Sequence, residues 1–299
     1  MATLLLIRYG ELALKSPPVR REFERSLRHN ILEQFLEGGI TGRLRSDAGH
    51  LYAEVDAGGP ALRALRRVFG VTSVSEVFEV PTDRAAIRDR LLELAEARLR
   101  PQCRFAVRAR RTGQHPFTSQ ELARDLGGDV LERYADRELA VDLEHPEVEL
   151  FVEVRGPRTY LYFDRATGPG GLPLGVAGRL VALIDGPRGA LGAYLMMKRG
   201  CRVLLVAVPS GERYAREVLR RFDPKAEVVV VPPDPAASSA ALEAAVARTH
   251  ADGVVLPLDV DGYPAARERW GERVLFSPTV GFTDEEVDER WRNVTALTA

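Results

Sequence analysis

The chain has 299 residues, 45% of them hydrophobic, and its 42 Lys and Arg against 43 Asp and Glu give a formal net charge of -1. That composition describes a globular protein long enough for about two domains or more, and the balanced charge excludes a global electrostatic pull toward nucleic acid or membrane. No apolar run approaches the roughly 20 residues that span a bilayer, and the N-terminus lacks the basic segment and long apolar core of a signal peptide, so a cytoplasmic setting without a membrane partner is expected.

The first segment reads strand, helix, strand, strand, helix, strand. "TLLLIRY" is a short apolar strand, and Ser16 with Pro17 and Pro18 is expected to cap and start a helix. Phe23, Leu27, Ile31 and Phe35 form one apolar stripe along it before the Gly38-Gly39 stop. "GRLRS" and "HLYAEV" flank "DAG" as a hairpin, "PALRALRRVFG" is a short helix, and "VTSVSEVFEV" reads as one strand with period-two alternation. This order is the ferredoxin-like split βαβ pattern, and residues 1–80 form the first expected domain.

Residues 81–166 form a second expected unit. "DRAAIRDRLLELAEARLR" is a helix with Ile87, Leu91, Leu94 and Leu99 on its inner face, and "CRFAVRARR" is a strand. Thr118 and Glu121 make a capping box for a helix carrying Leu122, Leu126 and Val130. "LAVDL" and "VELFVEVRGPRTYLYFDRA" add further strands. The stretch "TGPGGLPLGVAG", residues 167–178, holds five glycines and two prolines and reads as a linker. From residue 179 to 299 the apolar runs "RLVALI", "RVLLVAVP", "AEVVVVPP", "GVVLPL" and "RVLFSP" alternate with helical stretches, the pattern of a small doubly wound parallel sheet.

Local charge is concentrated where net charge is not. Residues 97 to 120 hold six arginines, one histidine and no acidic residue. Alternation places Arg104, Arg108 and Arg110 on one strand face, with Phe105 and Val107 on the other. Arg111 ends the strand beside "TGQHPF", which is expected to expose His115 and Phe117 as stacking groups, and Arg124 on the next helix extends the set. Lys15, Arg20 and Arg21 form a weaker group at a helix start. Residue types alone leave a solvated face and an RNA surface both open. The five histidines show no metal spacing, two cysteines cannot build a four-cysteine zinc site, and no metal is expected.

Three stretches carry a resemblance. "IRYGELALKS", "FAVRARRTGQHPFTSQELARDLGGDVLE" and "GPGGLPLGVAG" followed by "AYLMMKRG" occur in order and resemble the tRNA 4-thiouridine synthase family, the tRNA sulfurtransferases. The resemblance implies a mixed α/β and α+β chain with an N-terminal ferredoxin-like domain, a THUMP domain that binds tRNA near its acceptor end, and a C-terminal Rossmann-like PP-loop domain. It also implies a homodimer. On that basis the arginine face is the expected RNA surface.

The resemblance fails in the nucleotide loop. Where the family has Ser-Gly-Gly-x-Asp-Ser after the first strand of the last domain, this chain has Leu183, Ile184, Asp185, Gly186, Pro187, Arg188 and Gly189, a shortened interval. Pro187 removes a backbone donor, and Asp185 sets a carboxylate where phosphate charge would lie. Two such like charges about 4 Å apart repel by about 4 kcal/mol at an effective dielectric of about 20. Cys103 and Cys201 lie at neither family position for persulfide chemistry. The leading expectation is a tRNA-binding protein of tRNA modification without its own adenylation or sulfur transfer, with no catalytic residue and no cofactor unless the altered loop still binds ATP. Two alternatives stand beside it: an active sulfurtransferase whose cysteine comes from a sulfur-carrier partner, and a structural subunit paired with a synthase in a thiolation complex.

Overall fold

The computed structural model describes residues 2–10, 16–47 and 50–298. The first elements are β1 (Thr3–Tyr9), α1 (Pro17–Glu37), β2 (Gly42–Asp47), β3 (His50–Val55), α2 (Gly58–Leu65) and β4 (Val71–Glu76). Next come β5 (Phe78–Pro81), α3 (Arg84–Glu96), β6 (Arg104–Thr112), α4 (Ser119–Arg133), β7 (Ala140–Val141), β8 (Val148–Arg155), β9 (Arg158–Tyr162) and β10 (Ala166–Thr167). The last region contains β11 (Arg179–Ile184), α5 (Pro187–Lys198), β12 (Arg202–Ala207), and α6 (Pro209–Arg213), which continues through a π-helical stretch at Tyr214–Leu219 into α7 (Arg220–Phe222). It closes with β13 (Val228–Val230), α8 (Pro235–Thr249), β14 (Gly253–Val255), α9 (Tyr263–Trp270), β15 (Leu275–Phe276) and α10 (Asp284–Ala296).

Three five-stranded sheets result, in the orders β10-β4-β1-β3-β2, β5-β9-β8-β6-β7 and β13-β12-β11-β14-β15. The first contains the β4-β1-β3-β2 arrangement of the ferredoxin-like fold. In the last, β12 and β14 both pair parallel to β11, so strand order reverses beside β11 as in doubly wound sheets. Its two faces are covered separately: Ala182, Ile184, Leu205 and Ala207 pack with α5 and α10, while Val181, Val206 and Val254 pack with α8 and Trp270. The chain divides into two compact units, one of Met1–Ile7, Arg43–Gly58 and Ser75–Ala166, the other of Arg8–Gly42, Gly59–Val74 and Thr167–Ala299.

Several local expectations change. The run "VTSVSEVFEV" is two strands, β4 and β5, in different sheets, with Val77 between them donating its amide to the Leu4 carbonyl of β1. Ser16 occupies the N-cap of α1, yet its side chain makes no capping hydrogen bond. The glycine-rich stretch after residue 166 is tied down: Gly168 and Gly170 donate to Thr72 and Val71 carbonyls, Leu172 donates to Lys198, and Leu174 is buried.

Helix α1 carries more than its apolar stripe. Leu27, Ile31 and Phe35 are buried, and so are Asn30 and Gln34. The Asn30 amide donates to the Leu174 carbonyl at 3.2 Å, and that of Gln34 to Arg221 at 2.8 Å. Beside them Arg202 bridges Glu33 at 3.0 Å and Asp223 at 2.6 Å, so the carboxylates enclosed by this packing are neutralised.

Candidate nucleic-acid interface and nucleotide-loop crevice

Strand β6 positions the arginines. Phe105 and Val107 enter the core beneath α3 and α4, whereas Arg104 and Arg110 are exposed and Arg108 is half-buried. Among the described residues β7 pairs with β6 only at Arg104 and Phe105, and the rest of that edge has no strand neighbour. Along it lies a groove of about 920 Å³ between β6 and α4, lined by Arg108, Arg110, Arg124 and Arg165 among its charged groups and by Leu131, Val141, Leu143 and Phe151 among its apolar ones. Gly127 and Gly128 of α4 also face it, and a Cβ on either would meet nothing within 4 Å.

The arginines are not equivalent. Arg104 is held by Asp142 and Glu147, each at 3.2 Å, and Arg108 by Glu149 at 2.8 Å and the Leu143 carbonyl at 2.7 Å. Arg111 donates to the Gly113 carbonyl. Arg110 makes no side-chain hydrogen bond or ion pair among the described residues, and Arg124, 77% exposed, reaches only Asp125 at 3.3 Å. Arg110 and Arg124 are therefore the guanidiniums with the most uncommitted donors on the groove.

Two groups escaped the sequence. Register pairs Arg108 with Phe151 across β6 and β8, and the Phe151 ring stacks on Tyr162 at 4.9 Å and 10°. The exposed Arg165 guanidinium lies 4.3 Å from the Phe151 centroid and donates to the Tyr162 hydroxyl at 3.0 Å. The cue was the period-two position of Phe151 in "VELFVEVR", which is read only once β8 is known to lie beside β6.

Phe117 corrects an expectation: it is buried, 5% exposed, and belongs to the α3–α4 core. It precedes the Thr118 N-cap, and Leu122 one turn on lies in the same core, the arrangement of a hydrophobic staple. His115 stacks on Phe117 at 5.7 Å and its ring contacts the Thr112 carbonyl, so it is half-buried and partly committed. The capping box forms as read, and the Thr118 amide and hydroxyl hold the Glu121 carboxyl below its ordinary pKa. Arg20 pairs with Glu24 at 2.9 Å, Arg21 is exposed, and Lys15 lies outside the described residues.

In the last sheet a crevice of about 530 Å³ opens at the carboxyl ends of β11, β12 and β14, where such folds hold ligands. Leu183, Asp185, Asp234, Arg269 and Trp270 are among its walls. Gly186 is the N-cap of α5 and Pro187 its first residue. A Cβ on Gly189 would lie 3.0 Å from Asp185 Oδ1, so the Asp185 carboxylate sits over the first turn of α5. Burial raises that carboxyl above its ordinary pKa, with its own backbone amide and then the Arg188 charge opposing. Arg188 points elsewhere: it donates to the carbonyls of Thr279 at 2.7 Å and Phe282 at 2.8 Å and pairs with Asp284 at 2.8 Å. The Ser210 hydroxyl is committed to the Asp185 carbonyl at 2.7 Å. Gly211 packs so tightly that a Cβ would fall 1.8 Å from the Ile184 carbonyl oxygen. Both cysteines are buried free thiols whose pKa burial raises. No group of three or more His, Cys, Asp or Glu among the described residues is placed to hold a metal, and no helix among them is long and apolar enough to cross a membrane.

These features define a modular α/β protein with a ferredoxin-like domain, an arginine-bearing α+β domain and a Rossmann-like sheet. A ThiI ferredoxin-like domain model matches residues 4–75 and a THUMP domain model residues 82–164. A probable tRNA sulfurtransferase of Methanothermobacter thermautotrophicus is 39% identical over 209 residues, covering 68% of this chain and 52% of that one. The tRNA sulfurtransferase of Pyrobaculum aerophilum is 38% identical over 226 residues, covering 73% and 45%. The fold is shared with PH1313 of Pyrococcus horikoshii (TM-score 0.81, 24% identity, 98% and 99% coverage) and with a 4-thiouridine synthetase solved as an RNA complex with bound ATP (TM-score 0.80, 22% identity, 99% and 86%). The chain belongs to the ThiI-like family, and it spans about half the length of the curated relatives it matches.

Proposed function

We propose that this chain is a tRNA-binding member of the ThiI-like family that takes part in tRNA modification without adenylating or thiolating the RNA itself. The observation that carries the second half is the Asp185 carboxylate over the first turn of α5. A helix N-terminus offers its free N–H groups and positive end to an anion; here the protein's own carboxylate faces that end. Pro187 supplies no amide, and Arg188, the cation on that turn, is spent on Thr279, Phe282 and Asp284. This donor set does not suit a triphosphate. The raised thiols of Cys103 and Cys201 are likewise the reverse of what a persulfide carrier needs.

RNA binding rests on the THUMP match and on the groove beside β6. Arg110 and Arg124 offer phosphate donors, and the Phe151–Tyr162–Arg165 stack offers a face for an unpaired base. A partner enzyme supplies the chemistry this chain lacks. Filter binding of unmodified tRNA and of labelled ATP to the same preparation tests both halves. Retention of tRNA with no saturable ATP at millimolar concentration is expected; saturable ATP binding would favour an active sulfurtransferase with an altered loop.

A further inference from the structure

The stretch "PALRALRRVFG", the end of α2 and the turn after it, carries three arginines, and one of them stands out. Arg67 is half-buried, its Nε is enclosed without a partner, and its guanidinium makes no hydrogen bond or ion pair among the described residues. A guanidinium in such a place ordinarily has an acceptor. What surrounds it is more positive charge. Phe69 stacks on Phe222 at 5.4 Å, and Gln34 holds the carbonyls of Arg221 and Phe222, which fixes α7 beside the end of α2. Burial, followed by the charges of Arg221 and Arg63, holds the Arg67 pKa below the ordinary arginine value, and only Glu37 opposes them.

A structural role accounts for Arg66 and for one donor of Arg221, and stops there. Arg66 reaches the Ala296 carbonyl at 3.4 Å and Arg221 that of Thr298 at 2.7 Å, so both serve carbonyls at the end of α10. Arg63 is exposed and, like Arg67, makes no side-chain hydrogen bond or ion pair among the described residues. Gathering these charges works against folding unless something negative completes the cluster.

We infer that Arg63, Arg67 and Arg221 form an oxyanion site that takes a phosphate of the RNA backbone, in addition to the groove beside β6. The inference rests on the tRNA-binding reading for the source of the phosphate, while the site's preference for an oxyanion stands on the cluster alone. A phosphodiester fits because it accepts hydrogen bonds from several guanidiniums at once and carries no sequence information.

The test uses the full chain with Arg63→Gln and Arg67→Gln together, and Arg67→Lys as the conservative change. Melting temperature is read with and without tripolyphosphate, and tRNA affinity over a salt series. The glutamine variant is expected to melt at the same temperature as the wild type or higher, and to lose the stabilisation that tripolyphosphate gives the wild type. It is expected to bind tRNA about tenfold more weakly, with a log–log salt slope smaller by about one. Arg67→Lys is expected to restore most of the affinity, since charge is what the phosphate needs. A folded glutamine variant with unchanged affinity and slope overturns the inference while leaving tRNA binding intact. A lower melting temperature with unchanged tripolyphosphate response also overturns it, by making the arginines structural. If wild-type protein fails to bind tRNA, the functional reading falls, and the tripolyphosphate arm still decides the site.

Discussion

Asp185, Arg188 and Arg110 carry the functional argument residue by residue. Desolvation raises the Asp185 carboxyl, so its ionised form is disfavoured in the fold. The stability it contributes is present below its unfolded pKa and lost as pH rises through its higher folded one. Asp185→Asn is therefore expected to raise the melting temperature at pH 7, with the gap closing as pH falls below the ordinary aspartate range; a gap independent of pH contradicts the cause given. On the groove, Arg110→Ala with Arg124→Ala is expected to weaken tRNA binding across tRNA species and reduce the salt slope by about one per residue lost. Arg104→Ala should change binding little, because Asp142 and Glu147 already hold that charge. Equal losses from Arg104 and Arg110 in a binding assay would mean that ion pairing does not rank these residues. The arginine face was legible as a set, but this ranking was not, since Asp142, Glu147 and Glu149 meet it only through strand pairing. Arg188 was illegible for the same reason: its partners lie some ninety residues on.

Helix α4 is the element on which packing and function meet. Its capping box was plain in "TSQE", and Thr118→Ala is expected to cost about 1 kcal/mol of stability, measured by urea unfolding. The same cap explains Phe117, whose place in the core follows from the staple pattern and not from the polar loop that precedes it. Gly127 and Gly128 are more telling. Glycine inside a helix costs roughly 0.5–1 kcal/mol relative to alanine, and here an open groove faces both. Gly128→Ala is expected to stabilise the protein, while Gly128→Leu, filling the groove, should weaken tRNA binding without lowering the melting temperature. Unchanged binding by a folded Gly128→Leu variant would remove this wall of the groove from the RNA surface. Period and capping signals placed the long helices well; they failed at Val77, where alternation runs unbroken through a change of sheet.

Across the whole molecule, the order of domains was readable because each has its own periodicity and the stretch after residue 166 breaks it. What could not be read was that this stretch is tied by hydrogen bonds to Val71, Thr72 and Lys198, or that α1 carries buried Asn30 and Gln34 to hold the Leu174 and Arg221 carbonyls. Arg202 secures that packing against Glu33, 9% exposed at its side chain, and Asp223, 2% exposed. Arg202→Ala leaves the enclosed Asp223 carboxylate without its cation while Glu33 keeps Lys225, and is expected to cost about 3 kcal/mol in an unfolding titration. The family fold is thus retained, whereas we propose that the nucleotide chemistry of the loop within it is not. The most direct test of that contrast is AMP formation from millimolar ATP in the presence of unmodified tRNA that the protein demonstrably binds. The account predicts no tRNA-dependent AMP above background; steady tRNA-dependent AMP release would contradict it.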